Sequence, residues 1–292
     1  MDHFALTMPL AALESYWTDL FLLGLAVGVI FLLWPVAFFQ GFLKETGERM
    51  LLAGAVALRL HHLPKRSRWF FSQMFSAGIG NVHVVLLVGL FIGMILAMQT
   101  GAELARYGQQ EQVGFLVAAS MAREMGPFVT AIILAATFGS ALAAELGTMS
   151  VSDELTALEV LSIDHVSFLV LPRVLALMVM CPLLTIFCDG IGILGGGFIS
   201  VAQLNVSWDM YLDTAFSALE TKANFIPIPK DVYAGLLKSF VFGGLISVVS
   251  CSAGLNARGG ALGVGKATSR AVRDSIIVTI IANYFLTWIL YS

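Results

Sequence analysis

Long stretches without a single Asp, Glu, Lys or Arg divide this chain, and they constrain its fold more than any other feature. They cover residues 20–43, 69–102, 125–144, 174–188, 190–208, 239–257 and 275–292. A helix needs about 20 mainly apolar residues to cross the ~30 Å hydrocarbon core of a bilayer. Because only 12% of the residues are charged, the chain cannot coat a water-facing surface in the way a soluble protein does. We therefore expect an all-α polytopic membrane protein.

The order of apolar and polar segments predicts about six membrane-crossing segments. Residues 1–43 are expected to form an outer tail followed by an additional N-terminal transmembrane helix, Leu20–Leu43. Residues 44–68 carry charges on both sides of a short apolar stretch, which is typical of an amphipathic helix lying in the membrane interface. Residues 69–292 are expected to form the main transmembrane domain. Two cytoplasmic segments are expected within it, a helix at 145–165 and a Gly-rich loop at 252–273.

Lys and Arg are distributed unequally over the loops, and this bias predicts the orientation. If residues 44–68 are cytoplasmic, that face of the membrane carries eleven of the 16 Lys and Arg, and the opposite face carries four. Short cytoplasmic loops are enriched in these residues. Residues 1–19 contain none, so we expect both ends of the chain to lie outside.

The adjacent charges Arg123 and Glu124 lie inside a predicted span, and Lys238 lies inside another. Embedded charges are costly and mark substrate pathways by default. Two other interpretations stay open: the pair orients its helix at the membrane boundary, or Lys238 extends to the headgroups. Pro127 is expected to open the helix locally. Successive helical residues project about 100° apart, so only one of Arg123 and Glu124 is expected to face a cavity.

Two glycine patterns resemble nucleotide-binding motifs but lack their context. Residues 190–195 match G-x-G-x-x-G in an apolar run without a βαβ unit, so close helix packing is the better interpretation. Residues 260–267 nearly match a P-loop, but Ala267 replaces the residue that binds Mg²⁺. Neither a catalytic constellation, a metal site nor a nucleic-acid-binding tract is found in the sequence. Any ATP is expected to bind to another chain.

The segment from Glu145 to Leu161 is expected to form an amphipathic helix. Leu155, Leu158 and Leu161 recur at three-residue intervals and predict one apolar stripe. Such a helix either simply connects two spans or provides a docking surface for a cytoplasmic partner.

Seven short segments carry a family resemblance: Gly89–Met94, Arg123–Pro127, Gly139–Met149, Leu158–Val160, Pro172–Arg173, Gly235–Ser239 and Gly254–Thr268. In this order they resemble motifs of the MlaE/YrbE permease family, over roughly residues 43–292. The resemblance implies a permease subunit of an ABC transporter that moves phospholipids or other lipids. The span Leu20–Leu43 is an addition to the family pattern.

The resemblance also implies partners and a location. The expected partners are a second copy of the permease, a cytoplasmic ATPase that binds ATP and Mg, and an MCE-domain substrate-binding protein. A STAS-domain subunit is a further candidate. The expected location is the inner membrane of a Gram-negative-type bacterium.

Carried over position by position, the resemblance implies two sets of functional residues. The lipid-binding set is Arg123, Glu124, Lys238, Tyr107, Leu96 and Leu104. The ATPase-coupling set is Glu145, Asp153, Glu154, Leu155, Leu158 and Glu159. Two other classes compete with this interpretation. A stand-alone ion-coupled secondary transporter is expected to show inverted repeats, and a membrane-embedded lipid enzyme is expected to show converging His or carboxylate groups.

Overall fold

A computed structural model describes four parts of the chain, residues 45–59, 67–220, 222–223 and 226–291. The chain divides into two compact units, Met1–Leu51 and Leu52–Ser292. The described residues of the first unit are helical and belong to helix α1, which covers residues 45–58. This agrees with the helix predicted within 44–68. The predicted span Leu20–Leu43 lies outside the described residues.

Among the described residues of the second unit, five helices are long and apolar enough to cross a membrane. They are α2 (Ser67–Arg106), α3 (Gln110–Val151), α5 (Val166–Leu204), α7 (Lys230–Leu255) and α8 (Gly260–Tyr291). Two shorter helices are α4 (Glu154–Val160) and α6 (Trp208–Leu219). The five long helices match the five spans that the charge-free stretches predict for this part of the chain. The all-α class is therefore confirmed.

The segment between α5 and α7 contains α6 and a small antiparallel pair of strands. Strand β1 (Lys222–Ala223) pairs with strand β2 (Ile226–Pro229). Asn205 ends α5 in the left-handed conformation, with φ of 56°. Ser207 then begins α6, because its side chain accepts a hydrogen bond from the Met210 N–H at 3.3 Å.

Glycines allow the long helices to approach each other closely. A Cβ on Gly93 of α2 would overlap the backbone of Gly192 on α5, and a Cβ on Gly195 would press against the Leu90 carbonyl. Small residues serve helix association in membranes by letting backbones come close. Within the pattern at 190–195, Gly192 and Gly195 therefore belong to a packing surface, as the apolar context indicates, whereas Gly190 is exposed.

The loop predicted at 252–273 is much shorter than expected. Helix α7 ends at Leu255 and α8 begins at Gly260, so the second half of the predicted loop is helical. Gly259 and Gly260 make the turn with φ of 92° and 69°. The residues that follow are rich in Ala, Leu, Lys and Arg, which are strong helix formers, and they outweigh the remaining glycines.

Substituting Gly93 tests this packing. We expect Gly93→Ala to destabilise the folded chain by about 1–3 kcal/mol, because overpacking forces α2 and α5 apart. Gly80→Ala on the same helix is the matched control, since no atom lies within 4 Å of its added Cβ. Thermal unfolding of the purified proteins measures both. Equal unfolding midpoints for the two variants would refute the close contact.

Candidate functional site

Helix α3 carries Arg123 and Glu124 in a five-residue π segment, Met121–Met125. The Gly126 N–H donates to the first carbonyl of this segment, five residues earlier, instead of to the carbonyl four residues earlier. Pro127 follows and has no N–H to give to the preceding turn. Local π turns within α-helices are frequent at functional sites. This one lies in a membrane-spanning helix, and it agrees with the local opening expected from the proline.

Lys238 of α7 is completely buried, and its ammonium group makes three hydrogen bonds. It donates to Glu124 Oε1 at 2.5 Å, to Thr287 Oγ1 at 2.8 Å and to the Arg123 carbonyl at 3.0 Å. An ammonium group has three N–H donors, so every donor has an acceptor. Pairing and complete hydrogen bonding offset the desolvation penalty that a buried charge otherwise carries.

The Glu124 carboxylate is also held by α8. Its Oε1 accepts a hydrogen bond from Thr287 at 2.9 Å, and its Oε2 accepts one from Asn283 Nδ2 at 3.0 Å. Asn283 and Thr287 are one helical turn apart. Asn283 and Thr287 were not predicted as site residues. Their i, i+4 spacing in an otherwise apolar final span is a signal that could have identified them. Glu124 and Lys238 thus join three helices, α3, α7 and α8.

Asp231 lies in the first turn of α7 and forms an ion pair with Arg123, with 2.8 Å between Oδ2 and Nη2. The Tyr291 hydroxyl donates to the other oxygen of this carboxylate at 3.2 Å. The Tyr291 ring centroid lies 5.6 Å from Arg123 Cζ and 5.5 Å from Lys238 Nζ. At these distances an aromatic ring attracts cations. Neither Asp231 nor Tyr291 was predicted as a site residue.

These four charged side chains balance one another, with two cations and two anions. The side chains of Lys238 and Asp231 are 0% and 4% exposed, whereas those of Arg123 and Glu124 are 42% and 30% exposed. Arg123 and Glu124 are therefore partly exposed, while Lys238 is covered. We call these four residues the charge cluster.

Arg123 and Glu124 both contact α7, although adjacent helical residues project in different directions. Their partners Asp231 and Lys238 are seven residues, or two turns, apart on one face of α7. Each long side chain therefore reaches a different level of the same helix. Both side chains are partly exposed, and which of them faces a cavity stays a prediction.

Leu96, Leu104 and Tyr107 belong to α2 and to the turn that follows it. Leu96 and Leu104 are on α2, where they pack partly buried against the core, and Tyr107 follows the end of this helix with 77% of its surface exposed. Helix α2 packs mainly against α5. The structure thus brings together Arg123, Glu124 and Lys238.

The predicted coupling segment at 145–165 is not a single helix. Helix α3 continues through Glu145 to its end, and the separate α4 covers Glu154–Val160. The two helices are divided at Asp153, which takes a left-handed conformation with φ of 59°. Glu145 forms an ion pair at 2.9 Å with the buried Arg173 of α5. Glu145 is therefore tied to the helix bundle.

The leucines of α4 do not form one exposed stripe. Leu155 and Leu158 pack partly buried against the core, whereas Val160 and Leu161 are exposed by 80% and 68%. The acidic side chains nearby are also exposed: Asp153, Glu154 and Glu159. The surface open to a partner therefore consists of Val160, Leu161 and these acidic groups, because Leu155 and Leu158 pack against the core.

Comparisons with known proteins agree with this architecture. The family profile described as "Permease MlaE" matches residues 70–289. The Arabidopsis thaliana protein TRIGALACTOSYLDIACYLGLYCEROL 1, chloroplastic, is 36% identical over 81% of this chain, which spans 65% of that protein. A probable ABC transporter permease protein of Synechocystis is 36% identical over 82% of this chain and 89% of its own length. A probable ABC transporter permease protein of Rickettsia bellii is 36% identical over 75% of this chain and 82% of its own length.

The matched region contains the five long apolar helices, apart from the first residues of α2 and the last residues of α8. It also contains all four residues of the charge cluster, but not Tyr291. A profile match of this extent, with relatives of this similarity, shows a multi-pass membrane transport subunit. The chain belongs to the MlaE permease family.

Proposed function

We propose that this chain is the membrane-spanning permease subunit of an ABC transporter that moves phospholipids between the inner membrane and an MCE-domain partner. The observation that carries the proposal is the partly exposed pair Arg123 and Glu124, held at a π segment inside a membrane-spanning helix. Charges embedded in membrane-spanning helices mark substrate pathways by default. A substrate that meets both this pair and an apolar helix bundle needs ionic groups and long apolar chains.

A phospholipid has this combination of groups. Its phosphate is a partner for the Arg123 guanidinium group, and its amine, where one is present, is a partner for the Glu124 carboxylate. Charge-assisted hydrogen bonds contribute roughly 1.5–3 kcal/mol each, and each buried CH₂ group of an acyl chain contributes about 0.8 kcal/mol. Affinity therefore comes mainly from the chains packing against Leu96, Leu104 and Tyr107, and the charges set the position of the headgroup.

The names of the relatives support both parts of the proposal. The Arabidopsis relative carries the name of a diacyl lipid, trigalactosyldiacylglycerol. The Synechocystis and Rickettsia relatives are named as probable ABC transporter permeases. A permease of this class needs a separate ATPase, so ATP and Mg belong to that partner and this chain supplies the membrane path.

The assembly we propose contains two copies of this permease, two-fold related as most homo-oligomers are. It also contains the cytoplasmic ATPase and the MCE-domain protein, with a STAS-domain subunit as a further candidate. The proposed location is the inner membrane of a Gram-negative-type bacterium. Membership of the MlaE permease family supports these proposals, and the excess of Lys and Arg on one face supports the proposed orientation.

The ATPase is proposed to dock on α4. Val160 and Leu161 are exposed apolar side chains beside acidic groups, and an exposed apolar patch with a polar rim is typical of a protein interface. Glu145 and its partner Arg173 connect the end of α3 to α5. Motion of α4 would therefore reach two membrane-spanning helices directly.

A photo-crosslinking amino acid at Leu96 tests the substrate. We expect it to capture phospholipid in the assembled transporter, because Leu96 is partly buried in the region assigned to the acyl chains. The matched control is the same probe at Leu87, nine residues earlier and therefore on the opposite face of α2, where it is 59% exposed. Lipid mass spectrometry measures the product. Capture at Leu96 that does not exceed capture at Leu87 contradicts the substrate assignment.

Leu161→Asp tests the docking surface. A carboxylate placed in an apolar contact loses its hydration, so we expect loss of ATPase co-purification with an unchanged yield of inserted permease. Phe216→Asp in α6 is the control, because Phe216 is similarly exposed but lies outside the segment assigned to docking. Normal ATPase recovery with Leu161→Asp would show that α4 is only a connection between two spans.

A further inference from the structure

We infer that Lys238 is a positioning residue: it holds Glu124 and the π segment in place, does not bind the substrate, and thereby sets the headgroup preference through Glu124. This inference rests on the proposed function, because it assigns roles within the same lipid site. It separates two residues that the family resemblance groups together.

The first reason is that Lys238 has no free donor. Its three N–H groups are all used within the protein, and its side chain is 0% exposed. A phosphate could bind this ammonium only by displacing Glu124 or Thr287. Glu124 is partly exposed, and a carboxylate has about four acceptor sites, of which three are occupied here. A ligand would therefore contact the Glu124 carboxylate and not the Lys238 ammonium group.

The second reason is the backbone of α3. A residue with an N–H at position 127 would donate to the Arg123 carbonyl in α geometry, or to the Ala122 carbonyl in π geometry. Pro127 cannot donate. Lys238 supplies a hydrogen bond to the Arg123 carbonyl, and Gly235, one turn earlier on α7, lies so close to the Ala122 carbonyl that a Cβ would overlap it.

Helix α7 thus contacts both the Ala122 carbonyl and the Arg123 carbonyl, to which Pro127 cannot donate a hydrogen bond. A lysine is suited to this position because a single ammonium group reaches a backbone carbonyl and a carboxylate at the same time. The Lys238 ammonium group consequently links the backbone of the π segment to the Glu124 carboxylate. This dependence predicts that the effects of changing Lys238 and Glu124 are not additive, because residues in one hydrogen-bonded network are coupled.

A double-mutant cycle in the full transporter tests the inference. The variants are Glu124→Gln, Lys238→Met and the combination of both, each with the photo-crosslinking probe at Leu96. Lys266→Met is the control, because this lysine is exposed on α8. Vesicles contain equal amounts of phosphatidylethanolamine and phosphatidylglycerol. The two measurements are the unfolding midpoint and the ratio of the two lipids captured per folded protein.

We expect Lys238→Met to lower the unfolding midpoint, because it leaves the Glu124 carboxylate without its cation. The double variant regains most of this loss, since the neutral amide no longer needs that cation. The captured ratio of phosphatidylethanolamine to phosphatidylglycerol falls by about tenfold with Glu124→Gln, the size of one charge-assisted contact. The double variant shows the same ratio and the same total capture as Glu124→Gln.

Two results would overturn the inference. One is an unfolding midpoint of the double variant as low as that of Lys238→Met, or the failure of both variants to fold. The other is a total lipid capture by the double variant clearly below that of Glu124→Gln, which would show that Lys238 contacts the lipid independently. If the unsubstituted transporter captures no phospholipid at Leu96, the proposed function fails, while the unfolding midpoints still report whether Lys238 and Glu124 are coupled.

Discussion

Burial of the Lys238 ammonium group inside an apolar helix bundle is the constraint on which the rest of the site depends. An unpaired ion in this position would be costly, and the chain satisfies it with a carboxylate, a hydroxyl and a backbone carbonyl from two other helices. The same contacts fix the position of the partly exposed Glu124 side chain. The contacts that stabilise the helix bundle therefore also position the site residues.

The backbone makes this arrangement possible. Pro127 and the π segment Met121–Met125 leave carbonyls available on the side of α3 that meets α7. Gly235 lets α7 approach that surface, and Gly93 allows a similar approach between α2 and α5. In a bilayer, where lipid is as apolar as the helices, close backbone contacts and hydrogen bonds between helices are major sources of association. Small residues and hydrogen bonds thus stabilise the contact between α3 and α7 together.

The sequence predicts the elements well because membrane spans are a property of local composition. The charge-free stretches correspond to the five long helices, and the rarity of embedded charges identified Arg123, Glu124 and Lys238. Their partners Asp231 and Thr287 were missed because the contacts join helices distant in the sequence.

Other local expectations failed where tertiary packing decides. Leu155 and Leu158 pack inward, because α4 lies against the bundle, and the predicted loop at 252–273 is mostly helix α8 and the end of α7. The 100° rule for adjacent helical residues did not anticipate that Arg123 and Glu124 reach two levels of one neighbouring helix.

Phospholipid transport by a Glu124→Lys variant of the assembled transporter tests the central claim most directly. The substitution changes the net charge of the balanced cluster by two and places a second cation beside Lys238. With Glu103→Lys at the exposed C-terminal end of α2 as the control, the account predicts that folded Glu124→Lys protein does not transport phospholipid. It also predicts a lower unfolding midpoint for this variant, because the buried Lys238 ammonium group loses its carboxylate partner. Transport at the rate of the unsubstituted chain by folded Glu124→Lys protein would contradict it.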